Sequence, residues 1–412
     1  MRADEGRRIR VNPSGDETAA PFYASRLLAG LRLPAARLDP YPVLEQMSAH
    51  GPVLAGDDKV VLITGYQACA EVLRSTEWGV IDAAWSDAVI PNWRDHRSRI
   101  ALMNTALGTN GAEHQRHRKC MIPALSRRSL EKHNAALREL TATELRNFRD
   151  GFPDSDFAPT ADRITVLATC RVLGMVPHDF DTLRDLVADI AACHEISPAP
   201  AVLQRADEAV DALRSYLRAA EAVPGGLLSE LREAEAHHGD DLGFAIPLVL
   251  LIAGWETTSF LLLNLLLLLH RHPGQEALLR RERALIPNAV EEALRFEPPT
   301  LLDTRVAVRD TVVEGHAIPA RRLAYVFHAA ANRDPAAFVE PNRFDVRRDT
   351  AGHLAFGHGS HLCVGAQLAR VEAALLLTEF FDLFPDGLEV TGLEHRPGLG
   401  FRGFRSLRLA RR

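Results

Sequence analysis

The sequence predicts a mainly helical fold with small β-sheets, of the α+β class. Residues 248–269 are apolar nearly all round, as in a buried central helix, and residues 113–147 repeat apolar positions at helical spacing. The residues after Cys363 continue a helical pattern to about Phe381. Strand-like runs are short, at 60–64 and 306–313, so they predict small sheets beside the helices.

The other elements follow from helix periodicity and from proline and glycine breaks. Residues 1–38 are expected to be irregular, and the aromatic stretch 78–111 is expected to be rich in loops. The remaining predicted elements are a helix after Asp39 that runs to Ala49, middle helices separated at Pro198, Pro200 and Pro224, a helix that ends near Arg295, and a hairpin near 399–409. No internal repeat and no long low-complexity linker interrupts the chain.

Composition argues against several classes of function. The net charge of −6 over 412 residues argues against nucleic acid as the main partner. Five scattered cysteines argue against a disulfide framework and for a reducing compartment. Residues 1–13 are polar and Arg-rich, unlike a signal peptide, and Glu256, Thr257 and Asn264 interrupt the central apolar segment. We therefore expect a cytoplasmic protein that does not span a membrane.

A glycine-rich turn delivers one cysteine in the run Phe356-Gly-His-Gly-Ser-His-Leu-Cys363-Val-Gly365, and a helix pattern begins directly after it. A helix N-terminus helps to keep a thiolate ionised, and glycines let backbone N–H groups approach the sulfur. This is how a protein would hold haem iron through sulfur, which favours cleavage of the O–O bond.

Two other interpretations of this run remain. His353, His358, His361 and Cys363 could together form a zinc site, although zinc sites rarely carry glycines and Phe at such fixed offsets. The cysteine could also be a buried structural residue, which would leave the surrounding spacing unexplained.

The run resembles the haem-binding loop of the cytochrome P450 superfamily, in which Phe and spaced Gly, His and Cys positions are followed by Leu-Ala-Arg. The resemblance covers nearly all of the chain from about Asp39 onward, and it therefore implies a single domain over residues 1–412. It implies the cytochrome P450 fold, with haem b held between the central helix and the helix that follows the Cys loop. It also implies that Cys363 is the iron ligand and that Phe356, Gly357, His361 and Gly365 bind the cofactor.

A second motif lies in the central helix, at Ala253-Gly254-Trp255-Glu256-Thr257. The family places these residues above the iron, so Ala253 and Gly254 are expected to line the haem, and Gly254 to leave room for oxygen. Thr257 can hold a water or donate a hydrogen bond, and Glu256 can relay protons, so we expect both to be catalytic. The alternative is an ordinary buried Thr that bonds back to a backbone carbonyl.

Haem propionates need cationic partners. His114 and Arg118 are four residues apart on one helical face, and the resemblance adds Arg305 and His361 to the same propionate clamp. The sequence departs from the family before His114, where Asn110-Gly111 replaces a proline turn, and we expect a more mobile loop there.

The resemblance also assigns a structural pair to Glu292 and Arg295, three residues apart on one helix face. In the family this pair joins a buried network behind the haem with an Arg from the later irregular stretch. Arg343 or Arg347 is the expected third member. We assign these residues to folding and haem retention.

The substrate pocket is predicted from family analogy and from helix geometry. At ~100° per residue Trp255 lies about 200° from Thr257, so it should pack against a neighbouring helix and face away from the iron. Asp303 and Arg94 are the charged residues that could anchor a substrate. The pocket residues we expect are Trp85, Trp93, Leu250, Leu301, Leu302, Gly400 and Phe401.

The resemblance implies a soluble bacterial monooxygenase of the actinomycete natural-product type, which takes NAD(P)H-derived electrons from a ferredoxin and a ferredoxin reductase. Its expected reaction is hydroxylation or epoxidation of a mid-sized apolar or aromatic small molecule, free or tethered to a carrier protein. One alternative is a non-hydroxylating oxidation, such as aromatic oxidative coupling. Another is a catalytically silent helper protein, although such helpers typically lose the cysteine or the acid–Thr pair.

Overall fold

The computed structural model describes residues 20–55, 60–151, 154–194, 198–238, 241–396 and 400–411. Helices dominate this part of the chain. The α-helices are α1 (Ala20–Leu31), α2 (Pro34–Leu38), α3 (Tyr41–Ala49), α4 (Tyr66–Arg74), α5 (Ala83–Val89), α6 (Arg97–Met103), α7 (Gly111–Leu125), α8 (Arg127–Asp150), α9 (Ala158–Leu173), α10 (Phe180–Ala191), α11 (Pro200–Ala219), α12 (Leu227–His238), α13 (Leu242–Arg271), α14 (Pro273–Arg281), α15 (Ile286–Phe296), α16 (His328–Ala331) and α17 (Ala366–Leu383).

The strands are short and form small sheets. They are β1 (Val53–Ala55), β2 (Val60–Ile63), β3 (Trp78–Gly79), β4 (Asp154–Asp156), β5 (Met175–Val176), β6 (Glu221–Ala222), β7 (Asp303–Ala307), β8 (Thr311–Val313), β9 (His316–Ile318), β10 (Leu323–Val326), β11 (Leu388–His395) and β12 (Phe404–Arg411). The largest sheet has the order β1-β2-β10-β7-β3, and a second has the order β11-β12-β4. In the larger sheet β10 and β2 are parallel, and β10 and β7 are antiparallel.

The central helix α13 organises the core because it is apolar on every side. It packs against α9, α12, α15 and α17, and every residue from Leu242 to Ile252 is buried. It is also the helix among the described residues that is long and apolar enough to cross a membrane, but 78% of its most apolar window is buried inside the protein. The expectation of a buried core helix therefore holds.

Several boundaries differ from those predicted. Helices α1 and α2 lie within the stretch 1–38 that was expected to be irregular, and residues 1–19 of that stretch lie outside the described residues. The predicted helix over 113–147 is two helices, because the Ser126 side chain accepts a hydrogen bond from the Ser129 amide and caps the second one. The closing hairpin is also wider than predicted, with strands at 388–395 and 404–411.

Regular structure also occurs between residues 78 and 111, where loops were expected. This region contains β3, α5 and α6. Asp82 starts α5, because its carboxylate accepts a hydrogen bond from the Trp85 amide (2.9 Å) and satisfies a free N–H of the first turn. Because α5 and α6 are only seven residues each, their apolar periodicity is too brief to detect from sequence.

Candidate active site

The loop before α17 presents Cys363 to a space inside the protein. The Cys363 amide donates to the Phe356 carbonyl (2.9 Å), which closes the loop, and Gly359 has φ +71°. A Cβ on Gly359 would lie 2.4 Å from the Leu73 carbonyl oxygen, so only glycine lets the loop pass α4. Cys363 is accessible to solvent, yet burial raises the pKa of its thiol. Both properties are met by a thiol that faces a cleft enclosed by protein.

The structure does not assemble the alternative zinc site. The His353 ring lies 3.0 Å from Glu291, and the His358 ring accepts a hydrogen bond from Arg74 (3.2 Å). Within the described residues no three His, Cys, Asp or Glu side chains form a group that could hold a metal ion.

Four basic residues predicted to bind propionates converge near this loop. The rings of His114, from α7, and His361 stack with their centroids 3.8 Å apart. Burial, followed by the charge of Arg118, lowers the pKa of His114 to about 4. Burial, followed by His114 and Arg305, lowers the pKa of His361 to about 3. An anion placed among these residues would relieve the mutual repulsion.

The donor set therefore fits haem b. A thiol is available for the iron, and a cluster of guanidinium and imidazole groups is available for two carboxylates. Arg118 Nη1 donates to the Leu362 carbonyl (2.7 Å), which ties the cationic cluster directly to the residue before Cys363. Asp303, considered above as a substrate anchor, lies instead 3.7 Å from Arg305 and influences the Cys363 thiol.

The central helix has one opening. Between Leu242 and Leu269 every residue of α13 is buried except Ala253, Gly254 and Thr257. These are the three positions that the sequence places beside the cofactor, and Glu256 is buried next to them. We refer to this accessible stretch of an otherwise buried helix as the opening.

The hydroxyl of Thr257 donates a hydrogen bond to the Ala253 carbonyl (2.6 Å). This is the back-bonding that was considered as the ordinary interpretation of this Thr. Because the hydroxyl proton is used in this bond, the lone pairs of Oγ1 remain to accept a hydrogen bond. The geometry therefore favours an accepting role for Thr257 over a donating one.

Gly254 meets a neighbouring helix on the side where a Cβ would stand. A Cβ there would lie 2.8 Å from Thr169 Oγ1 of α9. The close packing of α9 on α13 is thus one reason for glycine at this position, and the room for oxygen stays a prediction.

Trp255 packs away from the opening, as helix geometry predicted. Its side chain is buried in the same core cluster as α9. Beside it lies the Asp162 carboxyl, which accepts a hydrogen bond from Ser259 Oγ (2.7 Å). Burial raises the pKa of Asp162, and the hydrogen bond from Ser259 and the nearby Trp255 indole oppose that rise.

Glu256 has a partner that the sequence did not indicate. Its Oε2 lies 2.6 Å from Arg396 Nη1, and the two side chains are 11% and 15% exposed. Arg396 is separated from Glu256 by 140 residues of chain and belongs to no local motif, so no sequence signal could have paired them.

The predicted structural pair is fully buried. Glu292 and Arg295 form an ion pair at 2.7 Å, with both side chains 0% exposed. The third member is Arg348, whose Nε lies 3.1 Å from Glu292 Oε1. The prediction of Arg343 or Arg347 was wrong: Arg343 contributes its carbonyl to Arg295, and Arg347 pairs with Glu282 on the surface.

The two tryptophans predicted to line the pocket have other contacts. Trp93 is 3% exposed, its Nε1 donates to Asp87 (2.8 Å), and the Arg94 guanidinium covers its ring at 4.4 Å. Arg94 is itself held by Asp87, which leaves it a poor substrate anchor. Trp85 is partly exposed and donates its Nε1–H to the Arg321 carbonyl (3.1 Å) at the sheet. Trp93 therefore offers little surface to a substrate.

The apolar residues predicted to complete the pocket lie in two segments that contact each other. The Leu301 amide donates to the Gly400 carbonyl (2.9 Å), and Thr300 and Phe401 form an isolated β-bridge. Gly400 and Phe401 are partly exposed, whereas Leu301 is buried. The other two predicted residues, Leu250 and Leu302, are buried as well.

The Asn110-Gly111 step, where we expected a more mobile loop, begins α7. Asn110 Oδ1 accepts from the Val80 amide (3.0 Å), and its Nδ2 donates to the Val80 carbonyl (3.2 Å) and to Asp82 (2.9 Å). Gly111 has φ +59°, which glycine adopts without strain. The replacement of proline is thus compensated by side-chain hydrogen bonds.

Asp207 joins α11 to the start of α6, which the sequence did not indicate. Its carboxylate accepts hydrogen bonds from the Ser98 amide (2.8 Å) and hydroxyl (2.7 Å), and lies 2.9 Å from His96 Nδ1. Helix α11 also contacts α6 and α13.

Comparison with known proteins gives consistent matches over most of the chain. The cytochrome P450 family model matches residues 244–385. The cytochrome P450 monooxygenase PikC of Streptomyces venezuelae is 31% identical over 378 residues, which is 84% of each chain. The 6-deoxyerythronolide B hydroxylase of Saccharopolyspora erythraea is 33% identical, over 73% of this chain and 76% of its own. Cyclomarin C epoxidase CymV of Salinispora arenicola is 36% identical, over 61% of this chain and 67% of its own.

Solved structures agree with the fold. The monooxygenase TamI with bound tirandamycin C superposes with a TM-score of 0.80 at 29% identity, covering 92% of this chain and 99% of TamI. P450BioI, solved with an acyl carrier protein that carries hexadec-9Z-enoic acid, gives a TM-score of 0.80 at 26% identity, covering 91% of this chain and 98% of its own.

Proposed function

Because the chain belongs to the cytochrome P450 family and is a haem b monooxygenase, we propose that it hydroxylates or epoxidises a mid-sized apolar or aromatic intermediate of secondary metabolism. The observation that carries the proposal is the opening in α13, where Ala253, Gly254 and Thr257 are accessible in an otherwise buried helix beside Glu256. The hydroxylase and epoxidase among the relatives support both reaction types.

Each site residue has a proposed task. Cys363 holds the iron, and Phe356, Gly357 and Gly365 surround its sulfur. His114, Arg118, Arg305 and His361 bind the propionates. Haem with a thiolate ligand supplies the activation of dioxygen.

The α13 residues then handle protons. Thr257 Oγ1 accepts a hydrogen bond from a water or a protonated oxygen in the opening, because its own proton is donated to Ala253. Glu256, buried one residue away, passes protons toward that position. The pocket is completed by Leu250, Leu301, Leu302, Gly400, Phe401 and the exposed face of Trp85, with Trp93 in support.

Partners follow from the same proposal. Electrons arrive from NAD(P)H through a ferredoxin reductase and a ferredoxin, which docks on the Cys363 side of the protein, where Arg116 is exposed. The substrate is free or bound to a carrier protein, and the P450BioI complex supports the second form. The five free cysteines support a cytoplasmic location.

We also propose that residues 1–412 form a single domain. Contacts between distant parts of the described chain support this. Arg402 donates to the Leu38 carbonyl (2.8 Å), and β4 pairs with β12.

The function is tested in two steps. The reduced protein with carbon monoxide should give the absorption of thiolate-ligated haem, Cys363→Ala should abolish that signal, and Cys120→Ala should retain it. A difference-spectrum screen of natural-product intermediates, followed by mass analysis with surrogate ferredoxin and reductase, should yield a product that has gained one oxygen atom. Loss of two hydrogens would instead establish oxidative coupling, and absence of the thiolate signal would contradict the whole proposal.

A further inference from the structure

Residues 299–302, which we call the pocket wall, carry Leu301 of the predicted substrate pocket. The pocket wall pairs with residues 400–402 in a short antiparallel bridge centred on Thr300 and Phe401. The two hydrogen bonds of the bridge run from the amide of the residue after each central residue to the carbonyl of the residue before the other (2.9 and 2.6 Å). In this arrangement the carbonyl of a central residue points away from the opposite strand, so the Thr300 carbonyl must be satisfied from another side.

His328, the first residue of α16, binds the Thr300 carbonyl. Its Nε2 lies 2.6 Å from the Thr300 carbonyl oxygen and 3.0 Å from the Thr300 hydroxyl. Because a carbonyl can only accept a hydrogen bond, Nε2 carries the ring proton and donates it. The next residue, Ala329, donates its amide to the Leu301 carbonyl (3.1 Å). Two consecutive residues of α16 therefore hold two consecutive carbonyls of the pocket wall.

The surroundings of His328 keep its ring neutral. The side chain is 1% exposed, and this burial lowers the pKa of His328. The charge of Asp303 and the bond to Thr300 oppose the shift, whereas Arg305 and His353 add to it. Nδ1 has no hydrogen-bond partner among the described residues, so a second proton there would be buried without an acceptor. The neutral ring with its proton on Nε2 is thus the form that binds the pocket wall.

Helix α16 is a firm support for this contact. Phe327, directly before His328, is 0% exposed and donates its amide to the carbonyl of Ile63, the last residue of β2 (2.8 Å). Phe327 also belongs to the apolar cluster that contains Leu301 and Leu302 together with residues of α1 and α3. The imidazole therefore joins the pocket wall to the largest sheet and to the packed helices behind it.

We propose that His328 is a positioning residue for the monooxygenase reaction, which fixes the pocket wall through the Thr300 main chain and thereby sets the size of apolar molecule that the pocket accepts. The inference rests on the proposed function, in which Leu301 lines the pocket. In this role His328 acts through Leu301 and not by contact with the reacting atoms. Because an apolar pocket distinguishes ligands by fit, a displaced wall changes which ligands bind while the haem is retained.

The experiment compares a small and a bulky ligand of the haem iron. The haem-loaded protein is titrated with imidazole and with 4-phenylimidazole, and the shift of the haem absorption is followed. Both ligands bind iron through an imidazole nitrogen, but only the second brings a large apolar group into the pocket. His328→Leu should weaken 4-phenylimidazole binding by about 3–10-fold, since the displaced wall loses part of a contact worth ~10-fold or more, and should leave imidazole binding nearly unchanged. The ratio of the two affinities is the measurement, because a general loss of stability would not change it.

Three matched variants identify the group that His328 holds. His328→Gln keeps an N–H donor at about the distance of Nε2 and should restore the ratio. His328→Asn places its amide one carbon too short, so it should behave as His328→Leu does and covers the case in which His328→Leu folds poorly. Thr300→Val removes the hydroxyl and keeps the carbonyl, so the ratio should stay near that of the unaltered protein. If Thr300→Val shifts the ratio as far as His328→Leu, the hydroxyl is the group held, and the proposed main-chain anchor is overturned.

His316→Leu is the control for the same substitution at an exposed position. His316 lies on β9, with its ring 3.1 Å from the Glu314 carbonyl, and its change should leave both affinities unaltered. An unchanged ratio in both His328→Leu and His328→Asn would refute the role of His328 and leave the proposed function standing. If imidazole gives no shift even with the unaltered protein, the proposed haem-iron site itself fails, and the role of His328 falls with it.

Discussion

Replacement of Gly254 by alanine would test how tightly α13 is packed at its opening. An added Cβ would lie 2.8 Å from Thr169 Oγ1, while Cγ2 and Cβ of Thr169 lie at ordinary contact distances of 3.8 and 3.9 Å. That hydroxyl is held in position by its hydrogen bond to the Thr165 carbonyl (3.0 Å). Either α9 and α13 must move apart, or the hydroxyl must give up its bond.

The size of the effect follows from two opposing contributions. Overpacking a buried contact costs about 1–3 kcal/mol, and replacing glycine by alanine inside a helix gains about 0.8–1 kcal/mol. We therefore expect Gly254→Ala to lower the free energy of unfolding by about 0–2 kcal/mol. In a Thr169→Ala background the obstructing oxygen is removed, so the same change should raise the free energy of unfolding by about 1 kcal/mol. The sign of the effect thus reverses between the two backgrounds.

Denaturant unfolding of the four haem-loaded proteins, followed by circular dichroism, measures both effects. Gly274→Ala is the control, because a Cβ on Gly274, in α14, meets nothing within 4 Å. This control should leave stability unchanged or slightly higher. If Gly254→Ala stabilises equally in both backgrounds, Thr169 does not restrict this position, and space on the cofactor side would be the reason for glycine.

Three further predictions concern residues around the haem site. Thr257→Ala should retain haem but divert more electrons to peroxide, measured as peroxide formed per NAD(P)H; unchanged coupling to product would contradict its role in proton delivery. Arg348→Met should lower the free energy of unfolding by about 1–3 kcal/mol, because Glu292 loses a buried partner. Arg347→Met should change it by about 1 kcal/mol or less, because its ion pair is exposed. Equal losses for the two variants in urea unfolding would contradict the assignment of Arg348 to the buried network. Burial tends to raise the pKa of Glu291, but the hydrogen bonds and charges of His353 and Arg370 outweigh burial and hold this pKa at about 2. The stability that the Glu291 carboxylate contributes is therefore present above pH 4.5 and is lost as the pH falls toward 2. The stability difference between Glu291→Gln and the unaltered protein should accordingly shrink from pH 6 to pH 3.5, and a constant difference would contradict the assignment.

Contiguous motifs were the features that the sequence could predict. The run around Cys363 and the segment 253–257 each lie within a dozen residues, so the chemistry of each motif can be inferred from the sequence before the fold is known. The family, the cofactor and the buried central helix followed from them. Trp255 was also placed correctly, because helical periodicity alone decides on which side of a helix a residue lies.

Contacts between distant segments could not be predicted. The pairing of Glu256 with Arg396 depends on how the closing hairpin meets α13, and the choice of Arg348 over Arg347 depends on a turn of irregular backbone. The close approach of α9 to Gly254 could not be predicted either, because periodicity does not reveal which neighbouring helix lies nearest. Trp93 suggested an aromatic pocket, but its indole is enclosed by Asp87 and Arg94 from its own loop.

The carboxylate of Asp207 has a mechanical consequence. It joins α11 to residues 96–98 through the amide and hydroxyl of Ser98 and the ring of His96, so these two segments are held together. A molecule that lifts α11 must carry the second segment with it or strip three polar contacts at once. Any displacement of α11 would then be concerted with displacement of residues 96–98, with one barrier in place of two independent ones.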